Sequence, residues 1–112
     1  MRMLMRVSLS TEKANEAIRN GTLQTTIQKI LGEVKPEAAY FMADDSGNRM
    51  GAIVFDMKDS SQVPGLAEPW FLAFDAKVTF RPVMTPQDLA AAAPGIEKAV
   101  KEFGNGSKFS NT

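Results

Sequence analysis

The 112-residue chain has no cysteine and no histidine. Without cysteine there is no disulfide, no thiolate metal site and no cysteine nucleophile. Without histidine the usual general base at neutral pH is missing, along with the commonest metal ligand and the usual haem ligand. An excess of either charge is also missing: Lys and Arg together number 13, as do Asp and Glu. A chain with zero net charge sets up no global field to draw nucleic acid or anionic lipid, so neither is expected as a partner. No apolar run reaches the length of a membrane span. The stretch Met1 to Ser10 is apolar but is interrupted by Arg2 and Arg6, and no small-residue cleavage site follows it. It reads as a strand rather than a signal peptide, and a cytoplasmic location is the expectation.

What is present is ordinary for a globular protein: 44% apolar and 23% charged residues. The length fits one domain. We expect a single domain over residues 1–104, with residues 105–112, small and polar, as a flexible tail.

Periodicity organises the rest. Met3, Met5, Val7 and Leu9 alternate with Arg2, Leu4, Arg6 and Ser8, which predicts a strand over about residues 2–9. Ser10 or Thr11 caps a helix that Asn20-Gly21 stops, and Thr22 caps a second one carrying Ile27, Ile30, Leu31 and Val34. Two strands follow, about 37–43 and 50–57, around the turn Asp44 to Asn48, and make the clearest hairpin in the chain. Asp59-Ser60-Ser61 opens a helix over about 60–73, with Pro64 tolerated early and Pro69 expected to kink or shift it. Residues from Ala76 to Met84 alternate again as a fourth strand. Thr85-Pro86-Gln87-Asp88 starts a helix that Pro94-Gly95 interrupts. A last helix places Ile96, Ala99, Val100 and Phe103 on one face, with Glu97 and Lys101 as an i, i+4 ion pair.

The order β-α-β-β-α-β with a C-terminal helix is the ferredoxin-like pattern of α+β proteins: an antiparallel sheet with helices on one face. The other sheet face is not cleanly polar, because Leu4, Tyr40, Met42, Met50, Ala52 and Val54 fall on it. An exposed apolar patch of that kind marks an interface, and the simplest closure is a homodimer with two sheets face to face.

Four stretches carry a resemblance: Lys35-Pro36-Glu37-Ala38-Ala39-Tyr40-Phe41, Val54-Phe55-Asp56-Met57, Ala67-Glu68-Pro69-Trp70-Phe71-Leu72-Ala73, and Arg81 to Leu89. With them the chain resembles the dimeric α+β-barrel superfamily, and more closely an uncharacterised family of small bacterial proteins within it. The resemblance implies a dimeric α+β barrel. It does not choose an activity, since the superfamily includes cofactor-free oxygenases, isomerases, haem-handling enzymes and non-catalytic binding domains.

No catalytic, metal or nucleotide motif stands out, and no cofactor is implied. The strongest polar group comes from register. With Met5, Val7, Ile53, Phe55, Val78 and Phe80 facing the helices, Arg6, Asp56 and Arg81 share the other face with Thr79. Arg6 could then meet Asp56 on one side and Arg81 on the other, either as an anion-binding pair beside a carboxylate or as a structural ion-pair network. Tyr40 is a donor for the same cavity or an amphipathic core residue. Trp70 and Phe71 line a ligand mouth or pack the helix over about 60–73 on the sheet. Haem-degrading members of the superfamily use a Trp, an Asn and a His together, and this chain lacks the His. Asp44, Asp45 and Asp56 lack calcium-loop spacing, so no metal site is expected. Arg49 to Phe55 faintly echoes an RNA-binding strand, but Phe55 alone supplies a stacking aromatic. Seven methionines suggest adaptable packing or a malleable apolar pocket. The binding hypothesis is a small organic molecule held between sheet and helices, with Arg6, Tyr40, Asp56, Trp70 and Arg81 as candidate contacts. The alternative is a cofactor-independent oxygenase or isomerase that uses Arg6, Asp56, Tyr40 and Arg81 to polarise its substrate.

Overall fold

The computed structural model describes residues 1–104. The expected tail, 105–112, lies outside the described residues. Four antiparallel strands form one sheet in the order β2-β3-β1-β4. They are β1 (Arg2–Ser8), β2 (Ala38–Ala43), β3 (Arg49–Asp56) and β4 (Lys77–Pro82). The helices are α1 (Thr11–Arg19), α2 (Leu23–Val34), α3 (Val63–Phe74), α4 (Pro86–Ala91) and α5 (Ala93–Phe103). This is the ferredoxin-like α+β fold that the alternation of the sequence predicts.

Burial follows that alternation. Along β1, Met3, Met5 and Val7 are buried while Arg2, Leu4, Arg6 and Ser8 are half-exposed. The buried set meets Ile53 and Phe55 of β3, Ala14 and Ala17 of α1, Ile30 of α2, and Trp70 and Phe74 of α3 in one core. Phe55 and Phe80 stack edge to face across that core, with ring centroids 6.4 Å apart.

Helix boundaries come from side-chain chemistry. The Ser10 hydroxyl accepts the Lys13 amide at the head of α1. Asp59 accepts from the Ser61 amide, and Gln62 reaches back to the Asp59 amide, so a short 3-10 turn (Ser60–Gln62) leads into α3. Thr85 and Asp88 exchange the same reciprocal bonds at the head of α4. Thr22 does not cap α2: its hydroxyl is spent on Asn20 Oδ1 at 2.6 Å, in the bend that Gly21 makes with a positive φ. α3 runs unbroken through Pro69, held by the buried Ala67, Trp70 and Phe74 on either side of it. The break between α4 and α5 falls at Ala92 rather than at Pro94-Gly95, because Pro94 sits in the first turn of α5, where its missing N–H costs nothing. Glu97 and Lys101 form no ion pair; the intrahelical pair that does form is Lys13 with Glu16, at 3.9 Å. No helix among the described residues is long and apolar enough to cross a membrane.

Candidate functional site

The open face of the sheet is a set of transverse rows, because paired residues point the same way. One row is Tyr40, Ala52, Arg6 and Thr79; the next is Ala38, Val54, Leu4 and Arg81. A third pairs Asp56 with Arg2. Arg6, Asp56 and Arg81 therefore do share a face, but not a site. Arg6 lies four residues from Asp56's cross-strand partner, about 13 Å along the strand. The expected Arg6–Asp56 contact is corrected on this point. Arg6 instead places Nη2 3.9 Å from Met50 Sδ. Arg81 is its diagonal neighbour through the Arg6–Thr79 and Leu4–Arg81 pairs.

Asp56 is occupied elsewhere. It accepts from the N-terminal ammonium at 2.9 Å and from Lys58 Nζ at 3.0 Å. Those two cations hold its carboxyl below the usual 3.8. Arg2 donates its Nε to Glu37 Oε1 at 2.8 Å rather than pairing with Asp56, and that bond raises its pKa further. Tyr40 is 63% exposed on edge strand β2. Asp44 accepts the amides of Ser46 and Asn48, which holds its carboxyl below 3.8 and accounts for it as a turn residue. Among the described residues no group of three acidic side chains could hold a metal ion.

The opposite face holds a cavity. A space of about 260 Å³ lies between the sheet and the helices at the β2 side. Leu23 and Ile27 of α2 form one wall and Trp70 of α3 another. Val7 and Leu9 of β1 contribute apolar surface, as do Met42 and Met50 of the hairpin. Arg49 is the one charged residue that lines it; its side chain is exposed and makes no ion pair among the described residues. Its volume exceeds that of an apolar cavity of about 150 Å³, which is enough for benzene.

Two residues shape it. Gly51, on β3, has no side chain where a Cβ would stand 3.1 Å from Phe41 Cε1 and 3.2 Å from Val7 Cγ2. That vacancy lets the Phe41 ring lie against the sheet. Phe41 is 55% exposed and also lines a second space of about 330 Å³, with Leu23, Ile27 and Leu31, so it forms the partition between the two. Trp70 is fully buried, and its indole Nε1 has no hydrogen-bond partner among the described residues. An unmet buried donor costs about 1–3 kcal/mol, which makes this ring an unusual choice for packing alone.

Of the five candidates read from the sequence, Trp70 lines this cavity; Arg6, Tyr40, Asp56 and Arg81 lie on the other side of the sheet or at its rim. Phe41, Gly51 and Arg49 were not among them. Gly51 inside a strand was the one available signal, since such a glycine often marks a close approach.

No protein-family profile matches the chain. No curated protein matches it either. Solved structures do. The fold is similar to 5-chloro-2-hydroxyhydroquinone dehydrochlorinase from Burkholderia phenoliruptrix AC1100, determined in complex with 2,5-dihydroxybenzoquinone, at TM-score 0.59 and 13% identity, over 78% of this chain and 97% of that one. A weaker likeness, TM-score 0.42 and 14% identity, is to an antibiotic biosynthesis monooxygenase-like protein from Deinococcus radiodurans, over 76% and 94% of the two chains. At 13% identity the likeness to the dehydrochlorinase establishes the fold and no activity.

Proposed function

We propose that this protein is a binding protein for a small, largely apolar organic acid, held between the sheet and α2 and working as a homodimer closed through the open sheet face. The observation that carries the binding reading is the 260 Å³ apolar cavity lined by one cation, Arg49, that makes no ion pair among the described residues. Apolar sites with a few placed polar groups are the usual form of a small-molecule pocket. The ligand's rings or chain pack on Leu23, Ile27 and Phe41, above the buried Trp70 ring, and its carboxylate meets the Arg49 guanidinium.

The dimer reading rests on the open face, where Leu4, Met50, Ala52 and Val54 form an apolar centre flanked by Tyr40 and Met42. Arg6, Tyr40 and Arg81 belong to that interface in this reading, and Asp56 to the ion pairs at the sheet end. The oxygenase or isomerase alternative draws less support, because the groups it needs do not converge within one protomer.

Calorimetric titration with 2-naphthoate and with neutral 2-naphthol tests the assignment. Arg49→Met is expected to weaken naphthoate at least tenfold, about 1.4 kcal/mol, while leaving naphthol within twofold. Gly51→Leu, which fills the space under Phe41, is expected to remove both. Naphthoate affinity unchanged in both variants contradicts the site.

A further inference from the structure

The last two helices extend from the body of the fold with no buried residue in either. The described chain measures 66 × 30 × 22 Å, with a radius of gyration of 19.6 Å. A compact chain of this length has a radius of about 13 Å. α4 and α5 are nearly continuous, since Ala92 N–H bonds back to the Asp88 carbonyl and Ile96 N–H to the Ala92 carbonyl. Together they form an arm from Pro86 to Phe103.

The arm has the chemistry of a protein contact. Leu89, Ile96, Val100 and Phe103 are all more than half exposed, Phe103 at 83%. Their spacing of seven, four and three places them on one stripe. The charged residues around that stripe are of both signs: Asp88, Glu97 and Glu102 with Lys98 and Lys101. An arm meant for anionic lipid or nucleic acid would be basic on its polar face, and this one is not.

We propose that the arm clasps a second copy of this chain, across the dimer formed by the open sheet faces; this inference rests on that dimer reading. Two features favour a second copy as the occupant. The arm leaves from β4, an edge strand, and begins at Pro86, four residues past the strand's end at Pro82, so it starts where one protomer's sheet borders the other's. The second feature is area. Four strands of about six residues present a footprint of roughly 400 Å² per copy, so sheets alone bury about 800 Å², which is the level of incidental contacts. An arm about 27 Å long and ~10 Å wide, contributed by each copy and buried on both sides, adds roughly 1,100 Å². The combined area reaches the range of stable interfaces, ~1,600 ± 400 Å².

The test uses the full chain. Ile96→Glu combined with Phe103→Glu is expected to raise the dimer dissociation constant at least 100-fold in sedimentation equilibrium, with the thermal melt of dilute protein unchanged because both positions are exposed. Val54→Lys probes the sheet contact separately. An arm variant that dimerises like the parent while Val54→Lys is monomeric overturns the clasp and leaves the sheet dimer standing. A weakened arm variant beside an unaffected Val54→Lys keeps the arm contact and overturns the sheet reading. A parent chain that is monomeric at 100 µM overturns both, and arm-dependent co-sedimentation of that monomer with phosphatidylcholine–phosphatidylserine vesicles reassigns the arm to lipid. Isotope-filtered NOEs on a mixed labelled and unlabelled sample give the direct readout: contacts from Ile96 and Val100 methyls to the other copy are expected, and exclusively intrachain contacts overturn the clasp.

Discussion

The two faces of the sheet are built from the same four strands and do different work. On the helix face, Met5, Val7 and Ile53 are wholly buried, and the core closes around Trp70 and Phe74. On the open face, Leu4, Ala52 and Val54 remain half-exposed between two arginines and a tyrosine. The covered face holds the fold together but is not filled at its β2 side, where α2 stands off and Phe41 lies over Gly51. The open face carries half-exposed Leu4, Ala52 and Val54, and its charged residues are spread along the strands rather than gathered. The proposed ligand room and the proposed partner surface thus fall on opposite sides of one sheet, and a change on one face is expected to leave the other's property intact.

The largest expected effect breaks that symmetry. Trp70→Ala removes the largest fully buried side chain and should lower the unfolding free energy by about 3–5 kcal/mol. Val54→Lys, on the open face, should cost the isolated protomer less than about 1 kcal/mol, since the strand-propensity scale spans that much. Urea unfolding of dilute protein measures both, and equal losses would contradict the assignment of one face as core. Gly51→Ala comes next. Its Cβ meets the exposed Phe41 ring, which can swing aside, and the fully buried Val7, which cannot. A loss at the low end of the roughly 1–3 kcal/mol range for overpacking is expected, together with a smaller cavity, and melting curves of the variant provide the check.

The smallest effect is on pH. Asp44, Asp56, Asp59 and Asp88 all titrate below the ordinary 3.8 in the folded chain, each held there chiefly by a hydrogen bond. The unfolded chain therefore binds more protons near that pH. Their stabilising contribution is complete above 3.8 and is lost as pH falls through the depressed folded values. Asp56, Asp59 and Asp88 are exposed and Asp44 half-exposed, so the effect should be modest and should weaken with salt. Melting temperature followed from pH 6 to pH 2 at two ionic strengths checks the sign and the screening together.

Much of this architecture is legible in the residues. Alternation in β1 assigns each side chain to its face, and Ser10, Asp59 and Thr85 announce their helices because the chemistry of a cap is local. Register is a different matter. A strand shifted by two or four residues keeps every side chain on its face, so alternation cannot distinguish Arg2 from Arg6 as the partner of Asp56. The cavity was out of reach for the same reason. It depends on Phe41 falling opposite Gly51 and on the standoff of α2, both set by tertiary pairing. The length of the arm, too, shows only once the packing is seen, since an amphipathic helix reads the same whether its apolar stripe meets its own body or a neighbour.

Trp70 is the only tryptophan in the chain, so a single indole N–H resonance reports on the cavity. The most direct measurement is a ¹⁵N-correlated NMR titration with 2-naphthoate. This indole peak and the amides of Leu23, Ile27 and Gly51 are expected to shift together and saturate, with Leu4 and Val54 unmoved. An indole peak that stays fixed while naphthoate shifts the open-face residues, or shifts nothing, would contradict the site.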